Sequence, residues 1–407
     1  MTRASRRVFL GTAARLGAGA LLPLVAVNYA DASAGRAYST NPPKPADAPS
    51  GRGVSIAGEA SLGSHAAAQS LLYGCAVNMD ALATDAAYAA LIRAQCRIVV
   101  AENAMKWGAL RPSPDGFNFD QADALVAFAE ANRMKIRGHN LVWHRDNPKW
   151  FEAQATVANA RGLLVAHIET VVGRYAGRMH SWDVVNEAID VADGRPDGLR
   201  NSPWLRLVGE DYIELAFQTA RDADPQALLT YNEYGIEPET RAGEQKRAAT
   251  IEMLRRMVAR RVPVDAVGVQ SHIAAWTAQA GGNAAAAMPY GAGLMRFIAE
   301  ARELGLQVFV TEMDVNDRAL PTDVPLRDAA VAAAYRQYLD LVLVDPAVRA
   351  VLTWGITDRY TWLNREEGRA AGRPERPLPF DTEKHAKPAF FAARDAFDRR
   401  TAPSSHG

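Results

Sequence analysis

The chain has 407 residues, 48% of them apolar, a length that allows one large domain or two ordinary ones. Its 46 basic residues balance its 46 acidic ones, so no net field would draw it to nucleic acid or an anionic membrane, and an uncharged substrate fits best. Two cysteines, Cys75 and Cys96, are too few for a disulfide framework, and buried free thiols are favoured over a single bridge between them.

The first segment has the features of an export signal. Ser5-Arg6-Arg7-Val8-Phe9-Leu10 forms a twin-arginine start, and a Gly- and Ala-rich apolar stretch follows to about Ala30. Its uninterrupted part, 16–29, is shorter than the roughly 20 residues of a membrane-spanning helix, so a cleaved signal is favoured over a transmembrane anchor. We predict a twin-arginine signal peptide over 1–34, a linker over 35–53, a catalytic domain over 54–400 and a tail over 401–407, with export to the periplasm or beyond.

From Leu71 onward, short apolar runs alternate with amphipathic stretches, which is typical of βα units around a parallel sheet. Eight such runs are the number that closes a barrel, so we predict an α/β fold, a (β/α)₈ TIM barrel in a single catalytic domain. A doubly wound open sheet is disfavoured because no G-x-G-x-x-G follows the first run. The predicted strands are 71–77, 98–101, 135–140, 181–186, 227–232, 266–271, 307–312 and 351–355.

Helices are predicted at 120–132, 211–223 and 292–304. Gly305 should end the last of these in the left-handed conformation. The residues expected to face the sheet are Ala122, Leu125, Val126 and Ala129 of the first helix and Leu294, Phe297, Ile298 and Ala301 of the third.

The residues that end the predicted strands are predominantly polar, and the carboxyl-terminal rim of such a barrel is where its chemistry is held. They are Asn78, Glu102, His139, Glu187, Asn232, Gln270, Glu312 and Trp354. Glu187 and Glu312 come from nearly opposite positions, and two facing carboxylates are what glycoside cleavage requires, about 5–5.5 Å apart in a retaining enzyme. A single strand-ending Glu more often belongs to a solvated loop or a salt bridge, so the pair carries the argument.

The sequence resembles glycoside hydrolase family 10, the endo-β-1,4-xylanases, from about Leu71 to Phe397. The motifs that carry the resemblance are Glu102-Asn103-Ala104-Met105-Lys106-Trp107, Gly138-His139-Asn140-Leu141-Val142-Trp143-His144, Trp182 to Glu187, Tyr231-Asn232-Glu233-Tyr234, Gly268 to Ile273, Thr311 to Asp314 and Thr353 to Asp358. The resemblance implies a retaining endo-β-1,4-xylanase that acts by double displacement.

The resemblance also implies a role for each residue near the reacting bond. Glu187 would be the general acid/base and Glu312 the nucleophile. Asn186 would bond the 2-hydroxyl of the sugar in the −1 subsite, and Asp314 would hold His272 against Glu312. Without their neighbours, Asn186 would be interpreted as a turn residue, His272 as a core histidine and Asp314 as half of a loop salt bridge.

The remaining implied residues bind sugar. Hydroxyl-rich ligands require many oriented donors and acceptors, and aromatic faces cover the apolar side of the ring. The set is Glu102, Asn103, Lys106, His139, Trp143, Tyr234, Gln270, Trp354 and Trp362. Trp354 and Trp362 are candidates to exclude glucose by filling the space beside C5.

We expect xylan and xylo-oligosaccharides as partners, with no metal, cofactor or nucleic acid, no membrane after signal cleavage, and a monomer. Three alternatives stay open: a glucanase on the same barrel, a metal-dependent hydrolase using His139, His144 and His272, and a catalytically inactive carbohydrate-binding barrel. The chain departs from the family pattern at Glu233, where Asp is usual, at Asn140, where Thr is usual, and at Cys75, where a smaller residue is usual.

Overall fold

A computed structural model describes residues 55–275, 290–366 and 373–400. The predicted signal peptide (1–34), linker (35–53) and tail (401–407) lie outside the described residues, so these assignments stay predictions. Within the described ranges, no helix combines the length and the hydropathy needed to cross a bilayer.

The sheet is a closed parallel barrel, which confirms the predicted fold. Its order runs β6-β5-β4-β3-β2-β1-β9-β8-β7, and a further pairing of β6 with β8 completes the ring. Since β6 and β7 both pair with β8, they are two pieces of one barrel strand, and eight strand positions result. The strands are β1 Leu72–Val77, β2 Ile98–Ala101, β3 Lys135–Trp143, β4 Ser181–Asn186, β5 Leu228–Glu233, β6 Ala266–Val269, β7 His272–Ala274, β8 Gln307–Asn316 and β9 Val348–Thr353.

Four strands end two or more residues away from their predicted ends at the carboxyl-terminal rim of the barrel, which we call the mouth; one of them is β9, which ends at Thr353 and not at 355. Strand β3 continues to Trp143 and β8 continues to Asn316, so His139 and Glu312 lie within strands and not at their ends. The predicted strand 266–271 is instead broken at Gln270 and Ser271. The predicted ends at His139 and Glu312 were wrong because we took these polar residues as the points where each strand meets the rim, whereas the backbone ladder continues beneath polar side chains at the mouth.

The helices alternate with the strands and cover the outside of the barrel. The predicted helices correspond to α5, α9 and α11, each within one residue of the expected bounds, and Gly305 follows α11 with φ +81°. All eight of their predicted inward residues are buried. The helices are α1 Leu62–Ala68, α2 Met79–Thr84, α3 Ala86–Gln95, α4 Trp107–Leu110, α5 Asp120–Ala131, α6 Lys149–Gln154, α7 Ala160–Arg174, α8 Pro203–Val208, α9 Tyr212–Ala223, α10 Arg241–Ala259, α11 Ala292–Glu303, α12 Val324–Val342, α13 Leu363–Glu366 and α14 Pro388–Arg399.

Two apolar cores result from the alternation of side chains along each strand. The larger lies between sheet and helices, and Val99 belongs to it. The smaller includes the neighbouring residues Ile98 and Val100 together with Phe309, and it fills the barrel below the mouth. Cys75 and Cys96 are buried free thiols with sulfur atoms 3.6 Å apart. The filled interior leaves the mouth as the place where polar side chains converge.

Candidate active site

Glu187 and Glu312 are both brought to the mouth, where they are only 9% and 5% exposed. Glu187 directly follows β4, takes a left-handed conformation with φ +58°, and donates its N–H to the Asn232 carbonyl at 2.9 Å. Glu312 lies within β8 and donates its N–H to the Gln270 carbonyl at 3.0 Å. A non-glycine residue with positive φ persists only where its surroundings hold it, so the position of Glu187 is fixed by its neighbours.

Three carboxamides link the two carboxylates. Asn232 Nδ2 donates to Glu312 Oε1 at 2.7 Å and to Asn186 Oδ1 at 2.9 Å. Gln270 Nε2 donates to Glu187 Oε1 at 3.0 Å and lies 3.4 Å from Asn186 Oδ1. Thr311 Oγ1 donates to Asn232 Oδ1 at 2.7 Å, which fixes the orientation of that amide. One hydrogen-bonded group therefore sets the relative positions of Glu187, Glu312 and Asn186.

Glu312 has a cationic neighbour held by a second carboxylate. His272 Nε2 lies 3.3 Å from Glu312 Oε2, and His272 Nδ1 lies 2.9 Å from Asp314 Oδ1. Burial opposes the charged imidazole, but Asp314 and Glu312 raise the pKa of His272 well above its ordinary value. Burial would also raise the pKa of Glu312, yet the His272 hydrogen bond, the charges of His139 and His272, and the Asn232 bond lower it to about 2. Glu312 is thus an ionised carboxylate at neutral pH.

Trp362 completes this arrangement. Its Nε1 donates to Asp314 Oδ2 at 2.7 Å, and its ring centroid lies 5.3 Å from that of His272. Trp354 is buried, and its ring meets His139 and His272 edge-on with centroid distances of 5.2 and 6.4 Å. The two indoles therefore line the same part of the mouth as the Glu312 group.

The surroundings of Glu187 are different. His144 Nδ1 lies 3.8 Å from Glu187 Oε2, and burial together with Arg200, Arg145 and Lys246 lowers the pKa of His144 to about 3. That imidazole is neutral at pH 7. Arg200 Nε donates to the Glu187 carbonyl at 2.9 Å, while its guanidinium also pairs with Asp190. Among the described residues, Glu187 therefore has no cationic imidazole of the kind that pairs with Glu312.

The loop after Glu187 is anchored on β5. Ala188 donates its N–H to the Tyr231 hydroxyl at 3.1 Å, and Ile189 donates to Glu233 Oε2 at 3.1 Å. Glu233 is fully buried and also receives Lys246 Nζ at 2.9 Å. Burial raises the pKa of Glu233, with Lys246 acting in the opposite direction. The glutamate that departs from the family pattern thus supports the backbone beside Glu187.

His139 is held in place by a buried ion pair, Arg137 with Asp183, inside the barrel. Its Nδ1 lies 2.9 Å from Asp183 Oδ2, and Asp183 Oδ1 accepts a hydrogen bond from Arg137. Arg137 and Asp183 are each 1% exposed. The imidazole is therefore fixed in orientation, with Nε2 towards the Asn140 amide at 3.3 Å.

The other predicted sugar-binding residues form a second group at the ends of β2 and β3. Glu102 accepts from Asn78 Nδ2 at 3.2 Å, and Lys106 donates to Asn103 Oδ1 at 2.9 Å. Lys106 Nζ also lies 5.1 Å above the Trp143 ring.

Tyr234 lies on the other side of Glu187. Its hydroxyl accepts a hydrogen bond from Arg200 at 3.0 Å, and Lys246 Nζ lies 3.4 Å from the centroid of its ring. Tyr234 is 37% exposed, as a surface for a sugar ring must be.

All the predicted site residues therefore lie at the mouth. Most surround Glu187 and Glu312, the group of Glu102, Asn103, Lys106 and Trp143 lies to one side, and Tyr234 lies to the other. The sequence reasoning gave no role to Asn232, Asp183 or Arg200, named Glu233 only as a departure from the family pattern, and used His144 only in the metal-dependent alternative. Asn232 had a signal, because it was among the strand-ending residues; the others depend on contacts between distant segments. Within the described ranges, no three His, Cys, Asp or Glu side chains are grouped so as to hold a metal ion.

Comparison with known proteins places this chain among the glycosyl hydrolases. The model of glycosyl hydrolase family 10 matches residues 61–396. A β-1,4-xylanase of Dictyoglomus thermophilum is 35% identical over 315 residues, which cover 75% of this chain and 83% of that protein. Endo-1,4-β-xylanase C of Paenibacillus barcinonensis is 32% identical over 352 residues, covering 79% of this chain. The chain spans only 30% of that relative's length and 26% of another's.

Solved structures agree with the sequence relatives. The crystal structure of native xylanase 10B from Thermotoga maritima superimposes with a TM-score of 0.72 at 32% identity, and the match covers 83% of this chain and 98% of that one. The shared region is therefore the whole barrel.

Proposed function

We propose, from the premise that the chain belongs to glycosyl hydrolase family 10, that it is an endo-1,4-β-xylanase cleaving internal β-1,4 bonds of xylan. The finer part of the proposal is the mechanism, double displacement with retention at the anomeric carbon. The observation that carries it is the contrast between the two carboxylates. Glu312 pairs with a cationic imidazole, whereas Glu187 lies beside a neutral one.

In the first step, Glu312 attacks the anomeric carbon while the bond to the leaving oxygen breaks. Glu187 gives its proton to that oxygen, so the departing sugar leaves as an alcohol. The low pKa of Glu312 makes it available as an anion, and Asn232 and His272 hold one of its oxygens each. Asn186 lies between the two carboxylates, where it would bond the 2-hydroxyl of the reacting sugar.

In the second step, Glu187 takes a proton from water, and the resulting oxygen attacks the glycosyl-enzyme from the face that the leaving group vacated. Esterification of Glu312 removes a negative charge from the mouth, which favours the ionised form of Glu187 when it must act as a base. Gln270 orients the Glu187 carboxyl group for both steps by donating to its Oε1 at 3.0 Å.

The flanking groups fit subsites on either side of the reacting bond. Glu102, Asn103, Lys106 and Trp143 offer polar atoms and one aromatic face on one side, and Tyr234 offers a ring on the other. Trp354 and Trp362 would occupy the space that a hydroxymethyl group of glucose requires. This supports xylan over glucans as the substrate.

Two measurements test the proposal. Reducing ends released from xylan and from carboxymethylcellulose should differ in favour of xylan, and cleavage of cellulose without xylan would overturn the substrate assignment. Proton NMR of the first-formed xylo-oligosaccharides should show the β-anomer before mutarotation. An initial α-anomer would overturn double displacement while leaving the substrate assignment intact.

We further propose export by the twin-arginine route. Its support is the Arg6-Arg7 pair ahead of a mildly apolar stretch. Replacing both arginines with lysine should leave xylanase activity in the cytoplasmic fraction. Unchanged export of that variant would contradict the twin-arginine assignment.

A further inference from the structure

Ser271 lies where the sixth barrel strand breaks, between two residues that contact the two carboxylates separately. Gln270 donates to Glu187 Oε1 at 3.0 Å, and His272 Nε2 lies 3.3 Å from Glu312 Oε2. The Gln270 carbonyl also accepts the N–H of Glu312. This three-residue segment therefore contacts both carboxylates.

Ser271 has an unusual conformation for its residue type. Its φ is +65°, in the left-handed region, and it is fully buried. Residues with a Cβ seldom adopt this conformation without local support. The ladder with β8 is interrupted here, since Val269 pairs with Val310 and the next pair is His272 with Asp314.

A buried carboxylate replaces the missing ladder partner. Ser271 donates its N–H to Glu237 Oε1 at 2.6 Å. Glu237 is 4% exposed and comes from the loop that follows β5, four residues after Glu233. The Ser271 side chain is held separately, because its Oγ lies 2.6 Å from the Tyr338 hydroxyl of α12 and 3.1 Å from the Val269 carbonyl.

We infer that Glu237 is a positioning residue for both catalytic carboxylates, because it holds Ser271 in the left-handed conformation that directs Gln270 to Glu187 and His272 to Glu312. Glu237 touches neither carboxylate, and its effect passes through the Ser271 backbone. The inference rests on the proposed function, since it assigns Glu237 to the same reaction.

The electrostatics around Glu237 are consistent with this role. Burial raises its pKa, while the hydrogen bonds from the backbone and the charges of His272 and Lys246 oppose that rise. Tyr338 is a further titratable neighbour of Glu237, and the pKa of its hydroxyl is raised by burial and by the charge of Glu237. The acceptor oxygen that Ser271 requires is present whether or not the carboxyl carries a proton, so an amide should replace it.

The test compares Glu237→Leu with Glu237→Gln. Glu237→Leu removes the acceptor, and we expect kcat on xylo-oligosaccharides to fall about 100-fold, because small displacements of reacting groups cost that much. KM should change by less than about threefold, since Gln270 is the one predicted sugar-binding residue on the displaced segment and the others lie on other elements. Loss of the His272 bond should also move the acid limb of the kcat/KM profile upward by about one pH unit or more. Glu237→Gln should stay within about threefold of the wild-type kcat, since its amide oxygen still accepts the N–H.

Two further variants separate positioning from general stability. Adding Ser271→Gly to Glu237→Leu should restore roughly tenfold in kcat, because glycine adopts the left-handed conformation without steric cost. Asp224→Leu is the matched control: Asp224 is also buried and accepts the N–H of Gly177 at 3.1 Å, but it lies before β5, at the opposite end of the barrel. It should lower stability and leave the pH profile unchanged.

The inference would be overturned if Glu237→Leu had the kcat and the pH profile of the wild type. It would also be overturned if kcat fell in this variant while the acid limb of the kcat/KM profile did not move. A 100-fold loss in folded Glu237→Gln would also overturn it. Should Glu237→Leu not fold, Glu237→Ala gives the second measurement, because it also removes the acceptor of the Ser271 N–H but adds no bulk. The same fall in kcat and the same upward shift of the limb are expected, and an unmoved limb there counts against the inference. An inactive wild-type enzyme would instead indicate failure of the proposed function.

Discussion

His167 provides a quantitative test of how burial controls stability. It lies on α7, is fully buried, and stacks on Trp107 with a centroid distance of 3.9 Å and an interplanar angle of 4°. Neither ring nitrogen has a hydrogen-bond partner among the described residues. Burial, with a smaller contribution from Arg111, lowers the pKa of His167 to about 3. The folded protein therefore keeps this imidazole neutral at any pH at which the enzyme would work.

The sign and size of the effect follow from proton linkage. Below about pH 6.5 the unfolded chain binds a proton at this position and the folded chain does not, so the free energy of unfolding falls as the pH falls. The slope is about 1.4 kcal/mol per pH unit, and about 1.5 units separate pH 5.0 from the unfolded pKa, which gives about 2 kcal/mol. The result hardly depends on the folded pKa while that value stays below about 4.

Urea unfolding at pH 7.5 and 5.0, followed by tryptophan fluorescence, measures this loss. The wild type should lose about 2 kcal/mol more between the two pH values than His167→Leu does. His385→Gln is the matched control, since the His385 side chain is 78% exposed, and it should behave like the wild type. An equal loss in His167→Leu and the wild type would refute the reasoning. So would a His167 ring resonance that titrates near pH 6.5 in the folded protein.

The remaining predictions concern the reaction. Glu312→Ala should abolish turnover of xylan, and added azide should restore part of it with an inverted, α-configured product identified by NMR; full activity without azide would contradict the nucleophile assignment. Glu187→Ala should slow xylan hydrolysis by about 10²–10⁴-fold while an aryl xyloside with a good leaving group still gives a rapid burst, and absence of the burst would argue against an acid/base role. His272→Asn should move the acid limb of kcat/KM upward, because it removes the bond and charge that lower the pKa of Glu312, and an unmoved limb would show that His272 does not control this carboxylate. Activity should be the same before and after dialysis against EDTA, and a loss reversed by a divalent cation would revive the metal-dependent alternative.

The fold was predictable because its signal is local and repeated. The run 98–101 is short, apolar and bounded by polar residues, and the structure places β2 there. The run 181–186 also matches a strand, β4, although Ser181, Asp183 and Asn186 interrupt its apolar residues. The predicted strand ends were wrong where polar residues are buried. Glu312 and His139 are polar residues within strands, because the mouth of the barrel is polar and yet shielded from water.

The site was predictable only in part. Glu187 and Glu312 follow from the motifs, but the supports of Glu187 come from β5 and from Arg200, 13 residues along the chain. Glu233 could be noticed as a departure from the family pattern, yet its contact with the Ile189 N–H exists only in three dimensions. The left-handed conformation of Ser271 has no sequence signal at all, since serine is not the residue that such a backbone favours.

The three carboxamides between Glu187 and Glu312 also govern where protons can travel. An amide donates and accepts hydrogen bonds without gaining or losing a proton at ordinary pH, whereas a hydroxyl or imidazole in the same place could relay one. Asn186, Asn232 and Gln270 therefore cannot relay a proton. In the proposed mechanism, the proton that Glu187 gives to the leaving sugar has no route to Glu312 through these side chains. If the reaction follows the proposed double displacement, each turnover replaces the proton given to the leaving sugar with one taken from the attacking water.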